Sequence, residues 1–267
     1  MYDVHVSVLG IRCTSYTQIL SEWMPTVDST RRISIATAVL LLVATVAGVA
    51  ASAVLPALTG PEYLTRASNH AGLVACAGLF YLVAAATSVG IAIALYPLLR
   101  KTDAAMALGA LVFRTIEAVF YTAAVVALLS LTTLGQQFLA APPAGRAPIQ
   151  AISDYVLSVR DHSTLAGVFA FSVGTFMYSA VFYRSRLIPR ALSAWGLAGA
   201  LLMGTACVLA LFADHPVTGY SLLFLPIAVW EMVLAIWLLA KGFTTLPRTT
   251  LGTAETTAGL IPSLAGR

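Results

Sequence analysis

The sequence predicts an all-α polytopic membrane protein, a bundle of six transmembrane helices with both termini on the cytoplasmic side. Of 267 residues, 59% are hydrophobic and only 10% are charged, whereas soluble domains carry roughly a quarter charged residues. Six apolar runs approach or exceed the roughly 20 residues that a helix needs to cross a bilayer core. Runs of that length favour helices, since a membrane barrel is built from weaker segments of about ten alternating residues.

Residues 1–27 fit neither a signal peptide nor a membrane span. MYDVHVSVLGIRCTSYTQILSEWMPTV has no apolar core of sufficient length and no stop-transfer pattern. The segment reads as a disordered extension or an over-called translation start, with the membrane domain occupying 28–243. That domain opens on Asp28-Ser29-Thr30, a polar helix entry, followed by Arg31 and Arg32. The first span is Ile33–Leu55, where Ala44, Gly48 and Ser52 recur at four-residue steps. Small residues at this spacing allow close helix packing in lipid.

The second span, Gly72–Leu99, joins the third, Ala104–Leu131, through the tight basic turn Arg100-Lys101-Thr102-Asp103. A long outer connection follows, over 132–163, marked by Pro142, Pro143 and Pro148. Within it Ile149, Ile152, Val156 and Val159 recur at three- and four-residue steps, which predicts a short interfacial helix near 148–161. Such a helix is either a cap over an outward cavity or a spacer lying on the membrane. The fourth span is Thr164–Tyr183, and the fifth, Leu192–Ala213, repeats the small-residue pattern at Gly196, Ala200 and Gly204. The sixth is Tyr220–Ala240, with a kink expected at Pro226. Residues 244–267 read as a flexible cytoplasmic tail.

Orientation follows from the loop charges. With the N-terminus inside, Arg12, Arg31, Arg32, Arg100, Lys101, Arg184, Arg186, Arg190, Lys241, Arg248 and Arg267 are cytoplasmic. Only Arg66, Arg146 and Arg160 lie outside. Basic residues concentrate in cytoplasmic loops, so this arrangement places both termini in the cytoplasm of a cell-membrane protein. The net charge of +4 therefore reflects topology. It forms no basic face on a soluble domain, so no nucleic-acid partner is expected. Cys13, Cys76 and Cys207 are scattered and odd in number, which argues against a disulfide framework; all three read as small buried apolar residues.

Three charges fall near the middle of their spans: Arg114 and Glu117 in the third, Glu231 in the sixth. Left unpaired at the bilayer centre, they would together cost about 8–10 kcal/mol. They are therefore expected to face the bundle interior and to find one another. Positions 114, 117 and 121 share one helix face, which aligns Arg114, Glu117 and the Tyr121 hydroxyl. A guanidinium has five donors in a planar fork, so Arg114 is expected to bridge Glu117 and Glu231. Two carboxylates against one cation leave a net negative charge unless one of them takes a proton.

The cluster reads as a proton or small-molecule site, with an intramembrane lipid or isoprenoid enzyme and a purely structural or accessory subunit as alternatives. At the outer face, His70, Asp161, His162 and His215 are metal-ligand types. None of them shares a helix at coordinating spacing, and capping accounts for polar residues at helix entries, so no metal or other cofactor is expected. There is no nucleophile elbow, zinc-protease motif or glycine-rich phosphate loop. The expected partners are the lipid bilayer and a small-molecule or lipid ligand.

The stretches IAIALYPLLRKTDAAMALGALVFRTIEAV (91–119), YRSRLIPRALSAWGLAGA (183–200) and LPIAVWEMVLAIWLLAKGF (225–243) resemble the bacterial membrane proteins of the domain of unknown function 4386 family. The likeness runs over roughly residues 28–243. It implies six membrane helices, places Arg114, Glu117 and Glu231 within the family's motifs, and supplies no substrate.

Overall fold

In the computed structural model residues 26–213 and 216–244 are described, and they form seven α-helices and one 3-10 helix. These are α1 (Thr26–Val54), α2 (Tyr63–Asn69), α3 (Ala71–Leu99), α4 (Ala104–Ala140), α5 (Pro143–Ser185), α6 (Arg190–Phe212), the 3-10 helix Val217–Leu223, and α7 (Leu225–Ala240). Five helices, α1 and α3 to α6, are long and apolar enough to cross a membrane. The 3-10 helix and α7 supply a sixth crossing if taken as one broken span. Helices are the natural outcome in lipid, because every backbone donor and acceptor is satisfied within the segment. Almost all of the predicted extension and tail, together with Asp214, His215 and Cys13, lies outside the described residues. Helix α1 begins at Thr26, inside the segment assigned to the extension.

The six long elements close a ring in the order α1, α3, α4, α5, α6, α7 and back to α1. At one end of the ring stand the basic residues. Arg31 donates to the carbonyls of Leu238 (3.2 Å) and Leu239 (2.7 Å) on the last turn of α7, where a cation meets the negative end of the helix dipole. Arg184 pairs with Asp103 at 3.5 Å, and the Asp103 carboxylate also caps α4 by accepting from the Met106 N–H at 3.0 Å. We call this the basic end, and the other the far end.

The core runs from the basic end through the centre, where Leu41, Ile91, Leu95, Phe182, Trp230 and Leu234 are buried. A smaller cluster around Leu58, Tyr63, Leu64 and Leu131 lies at the far end. There α2 docks on α4, and the Tyr63 hydroxyl donates to Asp154 at 2.8 Å. Burial and the neighbouring Asp154 carboxylate push the Tyr63 phenol above its usual range. The outer surface of the ring is apolar, with Val46, Val49, Leu79, Val119, Val126, Leu201 and Ile236 all exposed, as a lipid-facing surface requires.

Three expectations are corrected. The long connection between the third and fourth spans is helical: α4 continues to Ala140, α5 starts at Pro143, and only Ala141 and Pro142 turn the chain. Pro142 is the N-cap of α5 and Pro143 its first residue, positions where a missing N–H costs nothing. Residues 148–161 thus belong to one helix of 43 residues, about 65 Å long at 1.5 Å per residue, and do not form a separate interfacial helix. Next, the sixth span is broken: the 3-10 helix and α7 meet at a bend of 60°. Pro226 stands in the first turn of α7, so the kink expected there takes the form of a break at Phe224, two residues before it. Finally, Cys207 is buried but Cys76 is exposed.

The small-residue patterns divide. A Cβ on Gly196 would lie 2.5 Å from the Trp230 ring, so α6 and α7 meet there at a distance only glycine permits. A Cβ on Gly48 would meet nothing within 4 Å.

Candidate functional site

Arg114, Glu117 and Glu231 are all buried, at 1%, 3% and 8% exposure. The interior of an apolar ring is the place that spares them contact with lipid. Arg114 Nη1 lies 3.1 Å from Glu117 Oε2, as expected for residues three apart on one helix. The contact is an ion pair without a directed hydrogen bond, and Nη1 and Nε are both left without a hydrogen-bond partner among the described residues. The guanidinium lies over the Phe171 ring of α5, 4.3 Å from its centroid, a face that offers negative quadrupole to a desolvated cation. Its aliphatic stem rests on Gly174, where a Cβ would come within 3.1 Å of the Arg114 Cδ.

Arg114 does not bridge the two glutamates. The ion pairs among the described residues are Arg114–Glu117, Arg160–Asp161 and Arg184–Asp103, so Glu231 has no counterion in contact. Arg114 acts on Glu231 through space only. Glu231 Oε2 instead accepts from the Thr45 hydroxyl of α1 at 3.0 Å, and Glu117 Oε2 accepts from the Ser88 hydroxyl of α3 at 2.8 Å. Each carboxylate is thereby tied to the neighbouring helix in the ring. Beside Glu231, Trp230 stacks on Tyr178 with centroids 6.1 Å apart and donates its indole N–H to the Leu192 carbonyl at 2.6 Å. These contacts fix the first turns of α7 against α5 and α6.

Thr45, Ser88, Phe171 and Gly174 were not singled out from the sequence. A weak signal existed for the hydroxyls. Counted from Arg31 in α1 and from the basic ends of α3, α4 and α7, Thr45, Ser88, Glu117 and Glu231 all lie about 14–21 Å along the axis, so four polar residues share one layer.

Tyr121 stands one turn beyond Glu117 toward the far end. It lines a cavity of about 40 Å³ together with Tyr81 of α3, Arg160 and Thr164 of α5, and Thr218 of the 3-10 helix. Its ring packs on the bare backbone of Gly167, where a Cβ would come within 3.2 Å. Neither glutamate lines this cavity. Of the metal-ligand types, His70 Nδ1 lies 3.0 Å from the Arg66 carbonyl and His162 Nδ1 lies 2.7 Å from the Ser158 carbonyl. Asp161 accepts from Arg160 at 2.8 Å. Among the described residues no three His, Cys, Asp or Glu side chains gather as a metal site.

Residues 36–242 match the family model described as Domain of unknown function (DUF4386). The chain belongs to this family. The match takes in the ring from the third turn of α1 outward, and with it every residue of the DUF4386 polar layer described above. No curated protein and no solved structure matches the chain.

Proposed function

We propose that this DUF4386 protein binds, or passes through its helix ring, a small molecule or proton at the Arg114–Glu117–Glu231 layer. One observation carries the reading. Glu231 is a buried carboxylate whose contact partner is a neutral hydroxyl, while the single guanidinium of the layer is engaged by Glu117. A carboxylate buried in an apolar bundle without a counterion is costly, and ionisable residues kept inside membranes at such cost serve transport, proton relay or ligand binding. The protein is read as a multi-pass protein of the cell membrane with its basic end and both termini cytoplasmic, following the loop charges. The alternative of a lipid-processing enzyme requires a lipid-sized pocket at the carboxylates, and the cavity beside Tyr121 holds about 40 Å³.

The test is a pH titration of the carboxyl infrared bands of the reconstituted protein, alongside proton and solute flux into vesicles. A band that responds to pH and is lost in Glu231→Gln or Glu117→Gln is the expected result. If both variants fold and leave every band and flux unchanged, the layer is architecture and the reading fails.

A further inference from the structure

The size of the cavity at Tyr121 limits what can reach the polar layer through it. About 40 Å³ is room for about three water molecules and excludes any organic solute. Its lining brings the polar residues Tyr81, Tyr121, Arg160, Thr164 and Thr218 together with the apolar Ala124, Val125 and Leu128. Among the described residues the Tyr121 hydroxyl has no hydrogen-bond partner, whereas Tyr81 has Ser52 at 3.4 Å and Thr164 donates to the Arg160 carbonyl at 2.9 Å. At the far end, Arg160 is held by Asp161 at 2.8 Å. That pair is neutral, so it puts no net positive barrier in the way of a cation.

Resting on the reading given above, we propose that the ligand of the polar layer is the proton, delivered from the far end by water in this vestibule and handed inward by Tyr121. The transfer is a hop. A hydronium in the vestibule gives its proton to the Tyr121 oxygen as the Tyr121 O–H releases its own toward Glu117, directly or through one water. Water is left behind, the phenol is unchanged and the carboxylate has become the acid. No oxidant or second substrate is needed. The ionisable groups that face Tyr121 are Arg114 and Glu117 on its own helix, Tyr81 on α3, Arg160 on α5 and Cys207 on α6. Tyr121 touches the proton in transit and is the relay; the remaining vestibule residues position the water.

The experiment is a pH jump on the full chain in lipid vesicles, read by the rise of the protonated-carboxyl infrared band. Tyr121→Phe removes one hydroxyl and is expected to slow the approach to equilibrium by about tenfold or more, the scale of losing one positioned proton donor, with the end point unchanged. Ala124→Leu keeps the hydroxyl but fills the vestibule, and is expected to slow it likewise; Ala124 lines the same cavity. Unchanged rates in both folded variants, with the band still present, overturn the vestibule route and leave the midplane carboxyl site standing. Absence of any pH-responsive carboxyl band in the parent protein overturns both.

Discussion

Glu117 and Glu231 lie in one layer of the same ring, and their surroundings differ in a way that separates their roles. Glu117 has a cation at 3.1 Å and a serine hydroxyl at 2.8 Å. Glu231 has a threonine hydroxyl at 3.0 Å and no cation in contact. Breaking a buried ion pair strands a charge, whereas neutralising a lone buried charge relieves a cost. Glu117 can thus take a proton only by giving up an ion pair, whereas a change of charge at Glu231 breaks none. Six substitutions test that contrast.

The largest effect is expected from Arg114→Leu, which strands Glu117 and should cost about 3–5 kcal/mol in unfolding measured in lipid discs. Adding Glu117→Gln should recover much of that loss. An additive double mutant would show that the pair is not coupled. Next come the two glutamates themselves. Glu117→Gln leaves the guanidinium unpaired and should cost about 3 kcal/mol, while Glu231→Gln keeps an acceptor for Thr45 and should leave stability the same or higher. Equal losses in the two would erase the distinction. Gly196→Leu drives a side chain into Trp230, at about 1–3 kcal/mol, and by moving α7 should shift the Glu231 infrared band while sparing that of Glu117. The smallest effects belong to the hydroxyls. Ser88→Ala, at a fully enclosed charge-assisted bond, should cost about 1.5 kcal/mol. Thr45→Val should cost about 0.6 kcal/mol, the average for a hydrogen bond inside a membrane bundle.

What the sequence made legible was whatever depends on composition and on spacing within one helix. Six apolar runs announced the bundle, and the three-residue step from Arg114 to Glu117 announced their ion pair. Contacts between helices were hidden. Nothing in the chain says that Ser88 turns toward α4 or Thr45 toward α7, because apolar helices surrounded by lipid carry no polar face to set their rotation. The bridge expected from Arg114 to Glu231 failed for that reason. Phe171 and Gly174 draw the guanidinium toward α5, and neither residue type signals such a role. Pro226 announced the bend in the sixth span, but the 3-10 form of Val217–Leu223 was masked because residues stay apolar through Phe224. The α4–α5 hairpin was masked by three prolines that mark a loop in general; here Pro142 and Pro143 start a helix and Pro148 lies inside it.

Gly174 has one more consequence, for how the sequence can change over time. Its backbone lies so near the Arg114 stem that a methyl group there would crowd Cδ and Cγ at 3.1 and 3.2 Å. Positions 114 and 174 are therefore not independent letters. A lineage that keeps the arginine is held to glycine sixty residues downstream, and one that loses it is released to fill the gap. The two sites should drift together in any set of DUF4386 sequences, leaving a record of the buried cation on the helix that faces it.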